Sequence, residues 1–291
     1  MLSVRNLTVK YDFSDKTAAI DNVSFNVKDG EHIAVIGANG AGKSTLLLTL
    51  SGVLAPADGE IAVCDSSACG GSDDIIINSG KPNKKIIKDL RGKIGMVFQN
   101  PDDQIFMPAV YDDIAFGPRN YGEPEESIER KTDEILESLE ITHLKNRLTH
   151  KLSGGEKRLA ALAGVLVMNP SVILMDEPSS FLDPKARRRL IHILQKLPQT
   201  LIIATHDLDM ALELCGRVIL LKNGGVRIDS SAEKVLRDLN SADILDECGL
   251  EPPISVSSVS TVLMNLTAST NPENSENPEN SENSKNSQKN L

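Results

Sequence analysis

The spacing of apolar residues changes once along the chain, near Glu31. Before that point apolar and polar positions alternate, loosely over Leu2–Lys10 and strictly over Val23–Val27, ahead of the turn formed by Lys28, Asp29 and Gly30. A period of two predicts half-buried antiparallel strands. After Glu31 the apolar residues gather into short unbroken runs, Ile33–Ile36, Val172–Met175 and Leu201–Ala204, and helix-like stretches follow the first and last of them. Such runs predict strands of a parallel sheet covered on both faces. Between them, residues 101–165 carry helical signals, with Ile128, Ile135, Leu136 and Leu139 on one side of the segment Glu125–Leu139. The pattern predicts an α/β fold with an antiparallel β lead-in and an inserted helical portion. From Ala62 to Arg91 the composition shifts to Ser, Gly, Asp and Lys, which reads as a surface excursion. Near the end Asn271–Glu276 is repeated as Asn277–Glu282, and a tail of this composition is expected to be disordered because it cannot bury enough apolar surface.

Composition narrows the class of protein. With 291 residues, 40% of them hydrophobic, the chain can bury a sizeable core. A formal net charge of -10 argues against a sequence-independent grip on nucleic acid, which needs a basic face, so no nucleic-acid partner is expected. No apolar run approaches the roughly 20 residues that cross a bilayer, and Met1 opens directly into strand-like sequence without a signal-peptide pattern, so a cytoplasmic chain is expected. Cys64, Cys69, Cys215 and Cys248 lack zinc-site spacing and are expected to be reduced thiols.

Chemistry concentrates in four places. The run Gly37-Ala38-Asn39-Gly40-Ala41-Gly42-Lys43-Ser44-Thr45 stands between the strand Ile33–Ile36 and the helix-like Leu46–Leu50. Glycines at this spacing let backbone N–H groups curl toward phosphate oxygens, with the positive end of the following helix aimed at the same point. Lys43 would reach the outer phosphates and Ser44 would sit on Mg2+. Next, the apolar run Val172–Met175 delivers Asp176 and Glu177 at a strand end, where α/β sheets bind ligands. Asp176 suits Mg2+, through water, and Glu177 is placed to orient or deprotonate an attacking water. Third, Ser153, Gly154 and Gly155 begin a long apolar helix and form a second anion-binding end. One nucleotide cannot easily use both ends if they lie on different subdomains, so two chains facing head to tail, sharing two nucleotides, become the natural geometry. Finally, His206 follows the run Leu201–Ala204, in reach of a terminal phosphate, and Gln99 ends the strand-like Ile94–Phe98, in reach of Mg2+ or water. His32, His143, His150 and His192 have no such setting.

With these residues in place, the chain resembles the nucleotide-binding subunit of ATP-binding cassette (ABC) transporters over about residues 1–240. The resemblance implies a P-loop NTPase (RecA-like) core at 1–100 and 166–240 with a helical subdomain at 101–165, then an extension at 241–267 and a disordered tail at 268–291. It identifies Gly37–Thr45 as the Walker A loop, Gln99 as the Q-loop glutamine, Leu152–Glu156 as the signature motif, Val172–Asp176 as Walker B, Glu177 as the catalytic carboxylate, Ser180–Asp183 as the D-loop and His206 as the switch histidine. Tyr11 matches the aromatic that stacks on adenine, with Phe13 as the fallback and a plain core aromatic as the alternative for either. Two departures stand out: Glu156 where Gln is commonest, and Phe181 where a small residue is usual.

A finer resemblance lies in Phe98–Phe106 and Ala115–Pro118, which are similar to ATPases of energy-coupling factor (ECF) importers. The ending Cys248–Pro253 resembles the cobalt and nickel branch of that group. What the resemblance implies is a Mg2+-dependent ATPase, peripheral to the cytoplasmic face of the cell membrane. Its expected partners are a second ATPase subunit, identical or paralogous, and multi-spanning membrane subunits. A vitamin-type ECF importer and a soluble ABC ATPase without a membrane partner remain the alternatives.

Overall fold

A computed structural model of the chain describes residues 1–12, 17–64, 75–78 and 83–238, all within one compact unit, Met1–Pro252. The segments expected to form the extension, 241–267, and the tail, 268–291, lie outside the described residues, as do Phe13, Cys69 and Cys248.

Two sheets face each other. The smaller is antiparallel, in the order β2 (Ile20–Val27), β1 (Leu2–Val9), β4 (Asp58–Val63) and β5 (Ile75–Asn78). The larger has six strands: β10 (Gly225–Ser231), β9 (Arg217–Lys222), β3 (His32–Ile36), β8 (Thr200–Thr205), β7 (Val172–Asp176) and β6 (Ile94–Val97), in that order. Its strands run parallel except for β10, which turns back on β9. The strict alternation of Val23, Phe25 and Val27 therefore belongs to a sheet with one buried face, as its period requires.

The unbroken apolar runs have a direct structural cause, because the larger sheet is buried on both faces. Ile33 and Val35 of β3, Val172 and Leu174 of β7, and Ile202 and Ala204 of β8 pack with the antiparallel sheet and α1 (Lys43–Leu50). Their neighbours Ala34, Ile36, Ile173, Met175, Leu201 and Ile203 join the opposite core, under the helices. Successive strand side chains point to opposite faces, so a strand covered twice has no polar position to offer.

The segment Ala62–Arg91 departs from the surface excursion expected of it. Ile75–Asn78 extends the antiparallel sheet through β4, with Ile77 buried, and α2 (Lys84–Lys93), capped by the Asn83 side chain, buries Leu90. Short apolar clusters carry this packing, and the surrounding Ser, Gly and Lys masked them. Residues 65–74 and 79–82 within it lie outside the described residues. Cys64 is disulfide-bonded, contrary to the reduced thiol expected, whereas Cys215 is free and buried, its thiol pushed up to about 12 by burial.

Between β6 and β7 run α3 (Val110–Asn120), α4 (Glu125–Ser138) and α5 (Gly154–Leu166). Ile128 and Leu136 of α4 are buried, as is Leu139 at its cap, in line with the spacing in the sequence. After β7 come α6 (Pro184–Gln195), α7 (Leu208–Leu214) and α8 (Ala232–Asp238). Among the described residues no helix is long and apolar enough to cross a membrane.

Candidate active site

The loop from β3 to α1 closes around its own lysine. Lys43 Nζ donates to the carbonyls of Gly37 at 2.7 Å and Ala38 at 3.2 Å, and lies 3.8 Å from Glu177 Oε1. Burial lowers the Lys43 pKa, while the charges of Glu177 and Asp176 oppose that shift. Two glycines make the curl possible. Gly37, at φ +154, carries no Cβ where one would meet the Leu221 carbonyl at 2.5 Å, and Gly42, at φ +105, caps α1 where a Cβ would stand 2.6 Å from the Ala19 carbonyl. The first turn of α1 holds no acidic side chain, so its positive end stays open to an external anion.

Parallel strand ends bring the acids to the same place. Asp176, the last residue of β7, lies beneath the loop, where Ser44 hydrogen-bonds its carboxylate. Burial raises the Asp176 pKa above the usual carboxylate range; the Ser44 bond opposes this and the neighbouring Glu177 charge adds to it. Asp176 Oδ1 is buried and, among the described residues, has no hydrogen-bond partner. An unpartnered carboxylate oxygen beside a hydroxyl is the donor set of a hard divalent cation that keeps part of its water shell, so Asp176 and Ser44 fit Mg2+.

Glu177 follows at φ +44, a conformation strained for a side-chain-bearing residue. Its N–H donates to Ala204 O of β8 at 2.8 Å. Glu177 Oε2 accepts from the Thr205 hydroxyl at 3.1 Å and from the His206 N–H at 3.3 Å, and lies 2.9 Å from His206 Nδ1. The carboxylate is buried while the His206 side chain is 63% exposed, so the imidazole covers the acid from the solvent side. A buried carboxylate, a histidine against it and an ammonium within 4 Å can hold and polarise a water beside a phosphate group.

Tyr11, Asn39, Gly40, Gly42, Lys43, Ser44, Thr45, Gln99, Glu177 and His206 line one cleft of about 400 Å³. Of the other sequence candidates, Gly37 and Ala38 turn their carbonyls to Lys43, Ala41 is buried, and Asp176 lies below the cleft. Tyr11 is 68% exposed and its hydroxyl is tied to Thr45 Oγ1 at 2.8 Å, which leaves a ring face open at the cleft edge.

Ser153, Gly154 and Gly155 lie elsewhere. They line a second cleft of about 340 Å³ together with Phe181, Asp183, Lys185 and Arg189 of the D-loop and α6. Ser153 caps α5 in a reciprocal box: the Ser153 N–H donates to Glu156 Oε2 at 2.8 Å, and the Glu156 N–H donates to Ser153 Oγ at 3.3 Å. Glu156, the departure noted in the sequence, thus serves the helix start, and the Ser153 N–H holds its pKa below the usual range. Phe181 is 87% exposed at φ +63.

Sequence reasoning passed over Arg158, a buried residue of α5 whose guanidinium donates to the Phe98 and Gln99 carbonyls. Burial brings its pKa down to about 10. The signal was slight: Arg158 follows Glu156 and Lys157 and directly precedes the apolar run Leu159–Met168.

Fold and cleft together define a P-loop nucleotide hydrolase, and comparison with known proteins narrows the class. The model of the ABC transporter family matches residues 20–180. The energy-coupling factor transporter ATP-binding protein EcfA of Methanothermobacter thermautotrophicus is 37% identical over 267 residues, 91% of this chain and 80% of that protein. Among solved structures, cbiO1 of Clostridium perfringens, described as part of the ABC transporter complex cbiONQ, superposes with a TM-score of 0.70 at 37% identity, covering 84% of this chain and 94% of that one. The ATP-binding cassette MJ0796, solved as a dimer in a post-hydrolysis state with ADP and Pi, gives a TM-score of 0.68 at 27% identity, covering 80% and 99%. The chain belongs to the ABC transporter family, whose cassettes bind ATP with Mg2+ and hydrolyse it to drive transport.

Proposed function

We propose that this chain is the ATP-hydrolysing subunit of an ECF-type importer of cobalt or nickel ions, working at the cytoplasmic face of the membrane in a head-to-tail pair of cassettes. The observation that carries the catalytic part is the convergence of Lys43, Glu177 and His206 on one cleft, above a buried Asp176 oxygen that has no hydrogen-bond partner among the described residues. ATP lies along Gly37–Thr45, its adenine against Tyr11. Lys43 exchanges its loop carbonyls for the outer phosphates. Ser44, Asp176 and Gln99 hold Mg2+, which when bound neutralises charge on the phosphate oxygens. Glu177 orients the attacking water and accepts its proton, while His206 moves from the carboxylate to the terminal phosphate.

Ser153, Gly154 and Gly155 face a different cleft of the same chain, so they serve a nucleotide held by the partner cassette. Loss of the terminal phosphate then removes contacts that favour the closed pair and biases it toward opening. The docking surface for the membrane subunits lies between Gln99 and Pro118. There Phe106 and Phe116, 62% and 41% exposed, stack edge to face with centroids 4.6 Å apart. Asp113 fixes this aromatic pair by accepting from the Phe106 and Met107 N–H groups at 3.0 Å each. The importer class and the metal rest on the likeness to EcfA and cbiO1.

Glu177→Gln is expected to retain ATP binding, lose turnover and accumulate an ATP-bound dimer, seen by sedimentation with ATP and Mg2+. Near-normal steady-state hydrolysis would remove Glu177 from this role. Uptake of labelled cobalt and nickel, with and without this chain beside its membrane subunits, tests the substrate.

A further inference from the structure

A chain of polar contacts runs from α6, which borders the second cleft, to the catalytic acid, through residues that carry no role in the reading above. Arg187 is on α6, whose Lys185, Ala186 and Arg189 line the second cleft. Its guanidinium forms a bidentate pair with Asp207, Nε to Oδ2 at 2.9 Å and Nη2 to Oδ1 at 3.0 Å. Ser179, the residue before the D-loop, donates to Asp207 Oδ2 at 3.2 Å. Asp207 also caps α7 by accepting from the Met210 N–H at 3.0 Å. Burial works against ionisation of Asp207, and the hydrogen bonds from Arg187, Met210 and Ser179 outweigh it, holding the carboxyl below its usual range.

The contact onward has a fixed direction. The Asp207 N–H can only donate, and it donates to Thr205 Oγ1 at 3.0 Å. The Thr205 hydroxyl therefore gives its own proton to Glu177 Oε2, 3.1 Å away in a fully buried setting. The same oxygen accepts the His206 backbone N–H, so Thr205 and His206 hold the carboxylate directly and Asp207 acts on it through Thr205. A bidentate Arg–carboxylate pair resists shear better than a single contact, so a movement of α6 is carried to this turn.

We propose that Arg187, Asp207 and Thr205 form a positioning relay by which the D-loop and α6 set the orientation of Glu177 and His206. It rests on the catalytic reading of Glu177 given above. Turnover then depends on how the partner cassette seats the D-loop and α6, while ATP affinity, which comes from the loop Gly37–Thr45, does not.

The test uses the full chain and measures ATP affinity by calorimetry and turnover by phosphate release. Arg187→Ala and Thr205→Val are each expected to lower kcat by about tenfold or more, with ATP affinity held within about twofold. Thr205→Ser, which keeps the hydroxyl, is expected to restore most of the rate, and Arg187→Lys, which keeps charge but not the fork, to restore part of it. In a Glu177→Gln background, single-turnover rates should show no further loss from Thr205→Val, because the group it positions is already gone. Unchanged kcat in both Arg187→Ala and Thr205→Val, or an undiminished loss in the Glu177→Gln background, overturns the relay. If instead Glu177→Gln alone hydrolyses ATP normally, the catalytic reading falls first, and the two failures are told apart.

Discussion

Replacing Asp176 by Asn is expected to stabilise the ligand-free chain and to abolish its stabilisation by ATP and Mg2+. Asp176 Oδ1 is buried with no partner among the described residues, and burial raises the carboxyl pKa. An unsatisfied buried polar atom costs about 1–3 kcal/mol. The Ser44 bond and the charges of Lys43 and Arg158 offset part of that cost, which leaves a gain of about 1 kcal/mol for the neutral isostere and a rise in Tm of roughly 2–4 °C. With ligand at about a hundred times Kd, the wild-type chain gains about 2.7 kcal/mol, or roughly 5–10 °C, so the order of the two melting curves reverses. Chelating the metal should return the wild-type curve toward its ligand-free position. The sign with pH follows from the raised pKa: below the ordinary carboxylate range the acid is neutral in both states and the two proteins melt alike. The gap opens as pH rises above the ordinary carboxylate range, where the unfolded chain ionises before the folded one, and is complete above the folded-state pKa, where the wild-type chain must bury a charge. Thermal melts at several pH values, with and without ATP and Mg2+, measure all of this. A ligand-free Asn variant that melts below the wild type, or one that gains as much from ATP and Mg2+, refutes the reasoning.

Three further outcomes follow from named contacts. Lys43→Ala should weaken ATP binding by about tenfold to a hundredfold, the worth of a charge-assisted contact; unchanged affinity by calorimetry would contradict the phosphate role. Gly42→Ala places a Cβ 2.6 Å from the Ala19 carbonyl at φ +105 and should lower stability by about 1–3 kcal/mol, read as a drop in the urea midpoint; an unchanged midpoint would show that the loop can relax. Arg158→Met leaves the Phe98 and Gln99 carbonyls without their donor and should cost about 2–4 kcal/mol in the same assay, with Arg158→Lys recovering only part because an ammonium lacks the guanidinium fork. A midpoint unchanged in Arg158→Met would show that these carbonyls find other partners.

The change from alternating to unbroken apolar spacing was readable because it reflects a sheet with one buried face followed by a sheet with two. Val23–Val27 and Ile33–Ile36 illustrate the two cases. The excursion Ala62–Arg91 misled because, after Ala62–Cys64 complete β4, burial among the described residues falls on the widely separated Ile77 and Leu90, too few to set a period. Lys43, Asp176, Glu177 and His206 could be placed near one another because parallel strands deliver their ends to one sheet edge, so strand position along the chain fixes position in space.

Contacts between distant turns could not be read in this way. Nothing in the order of residues pairs Arg158 with the carbonyls of Phe98 and Gln99, or Arg187 with Asp207, because hydrogen bonds across elements depend on how helices settle on the sheet. The sequence determined β1, β2, β3, β6, β7 and β8, the glycine loop and which residue types end β6, β7 and β8, since periodicity and backbone permissiveness are local properties. Tertiary structure alone decided that Ser153–Gly155 open on a different cleft from Lys43, that Asp176 keeps an oxygen unpaired among the described residues, and that Thr205 points its proton at Glu177. Those are matters of burial and direction, which exist only once the elements are packed.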